Sequence, residues 1–188
     1  DTIGETKQNI KLLRGRVKRL EALIDGILQY SRIEQIKSSI QLVDLGELLV
    51  ETTSFIFEKP KDFSIYIQPN MPKFNALKEK LEQVFFHLLK NAIQFRSSDS
   101  GFVKVLVAEE TEFYKFTVID NGPGIAPEYH KKIFEIFQTL SARDKVETVG
   151  IGLALVKKII ESVGGEIKLE SDLGQGCAFH FWWPKLVG

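Results

Sequence analysis

The sequence predicts an α+β fold. It is a two-layer α/β sandwich with a mixed sheet of about five strands and three helices on one face, preceded by a long N-terminal helix. Three observations predict it. Residues 5–37 carry an unbroken helical repeat of apolar positions. Beyond residue 41, helical and strand patterns interleave. The last strands then follow one another with no helix between them, unlike the strict alternation of a purely parallel sheet. The chain divides into a helical segment, 1–40, and a mixed domain, 41–188.

In the first segment, Ile10, Leu13, Val17, Leu20, Ile24, Ile27 and Ser31 step by 3 and 4 in alternation, a heptad seam. Leu12, Leu23, Leu28 and Tyr30 widen the stripe. The adjacent domain is too small to cover so long an apolar face. The helix therefore reads as part of a dimerisation bundle rather than as one docked wholly on its own domain. Eight Lys/Arg against four Asp/Glu between Glu5 and Lys37 read as a solvated face. Asp44 is the expected N-cap of a helix from Leu45 to about Phe57. Phe63 to Ile67 alternates like a strand. Lys78 to Phe95 is a strong helix whose Leu81, Phe85, Leu88, Ala92 and Phe95 face the sheet. Val103 to Glu109 and Tyr114 to Asp120 read as strands. Pro127 to Ile136 reads as a helix with proline in its first turn. Gly152 to Val163 is a helix closed by Gly164-Gly165. Glu166 to Glu170 and Ala178 to Trp183 form a closing hairpin, with Trp182-Trp183 as flank and core.

Composition narrows the function. Apolar residues are 44% and charged residues 27%, ordinary values for a globular domain. Lys+Arg and Asp+Glu are both 25, and zero formal charge argues against a nucleic-acid binder. The single cysteine, Cys177, leaves no intrachain disulfide or cysteine zinc site and reads as a packing residue. His87, His130 and His180 lie far apart, and the last two read as histidines without a role. No run approaches the ~18 apolar residues of a membrane span. No leader pattern opens the chain, which begins without Met and reads as a fragment of something longer, in a reducing, cytoplasmic setting.

Chemistry concentrates in three places. On the helix Lys78 to Phe95, Gln83, His87, Asn91 and Gln94 form a polar stripe, and amides with an imidazole suggest a polar pocket wall. An amide oxygen suits Mg²⁺ held mainly by phosphates and water. Asp120-Asn-Gly-Pro-Gly-Ile125 follows a strand. Its carboxylate is acceptor-only and matches the exocyclic amine of adenine, while Gly122 and Gly124 let backbone approach a flat ring. Gly150-Ile-Gly152 opens a helix whose free N–H groups suit phosphate. Neither the dinucleotide fingerprint nor a Walker A sequence is present. Between the last two lies Phe137 to Val149, a polar loop with Arg143 and Lys145, which beside a phosphate site would act as a lid.

Taken in order, these segments resemble the ATP-binding catalytic domain of two-component sensor histidine kinases, in the wider ATPase superfamily that includes gyrase. The N-box is Gln83 to Phe95, the first glycine box Asp120 to Ile125, the F-box Ile133 to Gln138, and the second glycine box Val149 to Leu155. The resemblance spans about Leu42 to Pro184. Ile10 to Glu34 also looks like the second helix of the dimerisation and phosphoacceptor hairpin. On this resemblance Asn91 would coordinate Mg²⁺, Asp120 would read the adenine amine with Gly122 and Gly124 against the ring, and Gly150 and Gly152 would cradle phosphate. Ile125 and Leu153 belong to the same nucleotide-binding set. Arg143 or Lys145 would reach the γ-phosphate. His87, Gln94, Phe95, Phe134 and Phe137 form a second tier, the last two anchoring the lid.

The implied cofactors are ATP and Mg²⁺. The implied partners are a second copy through the N-terminal helix and a response regulator receiver domain, with no nucleic acid and no direct membrane contact. The setting is cytoplasmic, alone or as the cytoplasmic part of a longer membrane-attached receptor. No histidine precedes His87, so the phosphoacceptor is absent and no catalytic residue is assigned; this chain alone is not expected to autophosphorylate. The chain departs from the pattern at His87, usually Asn, at Gln94, often basic, and at Val149, commonly Thr. Ala178 stands where a hydroxyl residue often supports the Asp. Each departure removes a polar contact of ~0.5–1.5 kcal/mol. Two other functions therefore stay open: a non-catalytic dimerisation module with weak or no nucleotide binding, and a hydrolase of the gyrase type. The latter conflicts with His87 standing where those members place a water-activating Glu.

Overall fold

A computed structural model describes residues 2–35, 38–56, 60–96, 100–138 and 150–185. Helix α1 (Thr2–Arg32) ends in a single 3-10 turn, Ile33–Gln35. There follow β1 (Ile40–Asp44), α2 (Leu45–Ser54), β2 (Ser64–Ile67), β3 (Lys73–Leu77), α3 (Lys78–Gln94), β4 (Phe102–Glu109) and β5 (Phe113–Asp120). Helix α4 (Gly152–Ser162), β6 (Glu166–Ser171) and β7 (Cys177–Pro184) complete the domain. Five strands form a mixed sheet in the order β2-β4-β5-β7-β6, with β2 parallel to β4 and the other pairs antiparallel. Helices α2, α3 and α4 form the second layer.

The sheet is one-sided, and strand alternation makes it so. On β7, Cys177, Phe179, Phe181 and Trp183 are buried while the residues between them are half-exposed. Phe116 and Val118 on β5 and Val103 and Val105 on β4 continue the buried face. Phe85 of α3 packs edge-on against Phe116 and Phe181, with centroids 5.5 and 5.4 Å away. Trp183 is fully buried, while its neighbour Trp182 lies on the outer face between Lys115 and Lys168, 5.1 and 5.2 Å from its ring. His180 is on that outer face too. Its Nδ1 is 3.0 Å from Thr117 Oγ1, and its Nε2 lies 3.4 Å from the Glu170 carboxylate without hydrogen-bond geometry.

Three expectations are corrected. Helix α2 stops at Ser54 instead of about Phe57. The side chains of Thr52, Thr53 and Ser54 bond back to the carbonyls of Leu48, Val50 and Glu51, and such local bonding competes with helix propagation. Its start agrees with expectation, since Asp44 accepts from Glu47 N–H at 3.2 Å. Pro127 to Ile136 is not an α-helix but two 3-10 turns, Pro127–Tyr129 and Lys132–Phe134. Its N–H groups reach back three residues, from Tyr129 to Ala126, from His130 to Pro127 and from Glu135 to Lys132, the 3-10 pattern and not the α one. Strands β1 and β3 form an antiparallel ribbon that the pattern did not reveal, because only Val43, Phe74 and Ala76 on it are buried.

Most of α1 stands clear of the domain. Ile10, Leu13, Val17, Leu20, Ile24 and Ile27 are all about half-exposed, the seam that the heptad predicted. Only its C-terminal end packs inward, where Ile33 is fully buried.

Phe85→Ala removes the ring that couples α3 to the sheet. It is expected to lower unfolding free energy by about 3–5 kcal/mol in urea denaturation; a loss under about 1 kcal/mol would contradict this packing account.

Candidate functional site

A cavity of about 920 Å³ opens between α3, α4, the segment after β5 and the C-terminal half of α1. It lies where the helix layer leaves the ends of β5 and β7 uncovered. Asp120 is the last residue of β5 and is buried. Its Oδ1 accepts from Gly122 N–H at 2.8 Å, and the backbone N–H of Cys177, its cross-strand partner, also donates to the carboxylate. Burial nevertheless pushes this carboxyl above its ordinary range, and the two N–H donors only partly counter it. A buried carboxylate so placed is an acceptor aimed at a ligand donor.

The loop after Asp120 is held by backbone geometry. Gly124 has φ +71°, and a Cβ there would overlap the Asp172 carbonyl oxygen. Ile125 N–H donates to Ser171 Oγ at 2.8 Å, and Ser171 Oγ donates onward to Gly176 O at 2.6 Å. His130 Nε2 donates to Ile125 O at 3.0 Å, so this histidine, expected to be idle, pins the cavity wall.

The opposite wall is the polar stripe of α3. His87, Asn91 and Gln94 line the cavity, whereas Gln83 does not. His87 is driven down to a pKa of about 4, first by burial and then by Lys90, so its imidazole is neutral at pH 7. At the far end Gly150 and Gly152 lead into α4, whose N-cap, Ile151, offers no side-chain bond to the first N–H groups. Phe137 N–H donates to Gly150 O at 2.8 Å, which joins the two ends of segment 139–149.

Of the other expected residues, Ile125, Leu153, Phe95 and Gly124 line the cavity. Gly122 acts from behind, through Asp120. Phe134 packs edge-on against Phe179, a wall residue, at 6.4 Å, and Phe137 is about half-exposed. Arg143, Lys145 and Val149 lie outside the described residues. Ala178 pairs with Ile119 on the other face of the sheet, so the side chain beside Asp120 is Cys177. Cys177 is a wall residue as well as a packing one, with its thiol pushed up to about 11 mainly by burial. Sequence reasoning missed Ser171, Cys177 and, on α1, Ala22, Asp25, Gly26 and Gln29. These four on α1 lie off its apolar seam, so the heptad gave no signal for them.

The histidine kinase-, DNA gyrase B- and HSP90-like ATPase family model matches residues 76–187, and the chain belongs to this family. Among relatives, the circadian input-output histidine kinase CikA of Synechococcus elongatus is 32% identical over 189 residues, 95% of this chain and 25% of that protein. Full-length ShkA, solved in complex with AMPPNP, superposes with a TM-score of 0.76 at 25% identity, over 98% of this chain and 40% of that one. Histidine kinase ThkA, solved in complex with the response regulator protein TrrA, gives 0.72 at 27% identity, over 96% and 51%. The chain spans about a quarter of the length of the curated relatives it matches. It is a histidine kinase-type ATPase domain with a helical segment before it. No helix among the described residues is long and apolar enough to cross a membrane.

The depressed His87 pKa sets a pH dependence. An imidazole that stays neutral when folded contributes stability that is complete above about pH 6.5 and is lost as pH falls toward 4. The wild-type thermal midpoint is expected to fall more steeply than that of His87→Gln between pH 6.5 and 4; parallel curves would contradict it.

Proposed function

We propose that this chain is the ATP-binding catalytic part of a sensor histidine kinase. It serves phosphoryl transfer to a histidine on a helix outside this chain, for relay to a response regulator aspartate. The observation that carries this reading is Asp120, a buried carboxylate at a strand end, oriented by two backbone N–H groups and opening into a cavity sized for a nucleotide. When bound, ATP supplies the phosphoryl group and Mg²⁺ neutralises its charge.

The chain's own residues do the positioning. Asp120 accepts the adenine amine, and the rigid loop through Gly124 sets the ring plane. The amide of Asn91 suits a Mg²⁺ whose remaining ligands are phosphate oxygens and water. The uncapped start of α4 at Gly152 and the backbone around Gly150 receive phosphate oxygens, with the helix dipole in support. His87, neutral and half-buried, closes the α3 wall without adding charge. Arg143 and Lys145, outside the described residues, are the cations that the family resemblance would offer to the γ-phosphate.

The exposed seam of α1 pairs with a second copy, which gives a homodimer. Sedimentation showing a concentration-independent monomer would remove that part of the reading.

The direct test is calorimetric titration with an ATP analogue and Mg²⁺. Micromolar binding is expected, weakened at least about tenfold in Asp120→Asn and in Asn91→Ala. Failure of wild type to bind would leave the non-catalytic module. The same Asp120→Asn variant separates function from stability. A carboxyl raised by burial contributes stability that is complete below its ordinary pKa and lost as pH rises through the folded value. At pH 7 this variant is therefore expected to unfold at the wild-type midpoint or above it.

A further inference from the structure

Helix α1 is a wall of the cavity, and two contacts fix how it lies. Gly26 meets Ile151, the N-cap of α4, so closely that a Cβ would overlap Ile151 Cδ1. About one turn later, Lys158 Nζ donates to the Tyr30 carbonyl at 3.1 Å and sits 4.4 Å from the Tyr30 ring centroid. That carbonyl lies in the last turn of α1, where no intrahelical N–H is available, so Lys158 caps α1 from α4. The pairs 26–151 and 30–158 run in the same direction. The turn of α1 before Gly26 therefore runs toward the N-terminus of α4, and Ala22 and Asp25 line the same cavity as Gly150 and Gly152.

Asp25 brings a carboxylate to the end of the cavity where helix N–H groups favour an anion. Its helical neighbours at three and four residues' distance are Glu21, Ala22, Leu28 and Gln29, which provide no cation. Among the described lining residues the acids Asp25, Asp120 and Glu128 outnumber the one lysine, Lys90. Of the three, Asp25 is the one whose helix touches Ile151, between Gly150 and Gly152, through the neighbouring Gly26.

We propose that Asp25 is a tethered competitor of the terminal phosphate, so that a nucleoside triphosphate and the docking of α1 on α4 oppose each other. This rests on the nucleotide reading above. Linkage makes the effect reciprocal: docked α1 lowers triphosphate affinity, and bound triphosphate loosens the α1–α4 contact. A diphosphate, shorter by one charged group, feels it less.

The test uses the full chain with AMPPNP and with ADP, each with Mg²⁺ at low ionic strength, since a charge effect is largest there. Asp25→Asn is expected to tighten AMPPNP about fivefold and ADP less than about twofold. Gly26→Leu, which displaces α1 through Ile151, is expected to do the same, and the double variant to be no tighter than Gly26→Leu alone. Amide exchange over residues 22–33 is expected to rise with AMPPNP more than with ADP in wild type, and equally in Asp25→Asn. Unchanged affinity ratios in Asp25→Asn, or weaker AMPPNP binding, would overturn this proposal and leave the nucleotide reading standing. No binding of either nucleotide to any of the variants would overturn both.

Discussion

Everything at the site hangs on one packing constraint: the sheet has a single buried face, and α3 must cover it through Phe85. That ring meets Phe116 and Phe181 at once, on adjacent strands, and so fixes both the height and the rotation of α3 above the sheet. With Phe85 pointing down, the residues two and six positions on, His87 and Asn91, fall about 200° and 240° round the helix, on the side turned away from the sheet, where they line the cavity. The polar wall of the cavity is thus a geometric consequence of the core. Helix α4 closes the other side, and the gap between the two helices exposes the ends of β5 and β7.

Asp120 shows the cost of such a place. A carboxyl taken out of water loses hydration that two backbone N–H groups only partly replace, and burial wins, since its pKa rises. The fold tolerates this because the strand pairing of Asp120 with Cys177 delivers one donor, and the turn through Gly122 delivers the other, without any side chain having to be ordered for the purpose. His87 is the complementary case. It is half-buried on the α3 wall, where desolvation and then Lys90 press against protonation, so its imidazole adds no charge to the cavity. The two groups give the cavity one acceptor carboxyl and one neutral imidazole among its lining side chains.

Helix α1 serves two surfaces at once. Its seam from Ile10 to Ile27 is exposed, while Gly26, Tyr30 and Ile33 engage α4.

The sequence by itself determined the local chemistry and the order of the parts. The heptad of α1, the Asp44 cap, the face of α3 and the polar stripe beside it were all readable, because each depends on residues within one or two helical turns. The family followed from four short segments in order, which the match over residues 76–187 bears out. Only the tertiary structure decided what stands beside what. The ribbon of β1 and β3 went unread because a weakly buried pair carries little alternation. The segment after Pro127 looked helical from its proline, yet its N–H groups bond three residues back and leave it as two 3-10 turns. Strand register placed Cys177, and not Ala178, beside Asp120, since a shift of one residue turns a side chain to the other face. The seating of α1 on the cavity rests on a contact between residues 26 and 151, and no pattern within a single element encodes a meeting so distant in the chain.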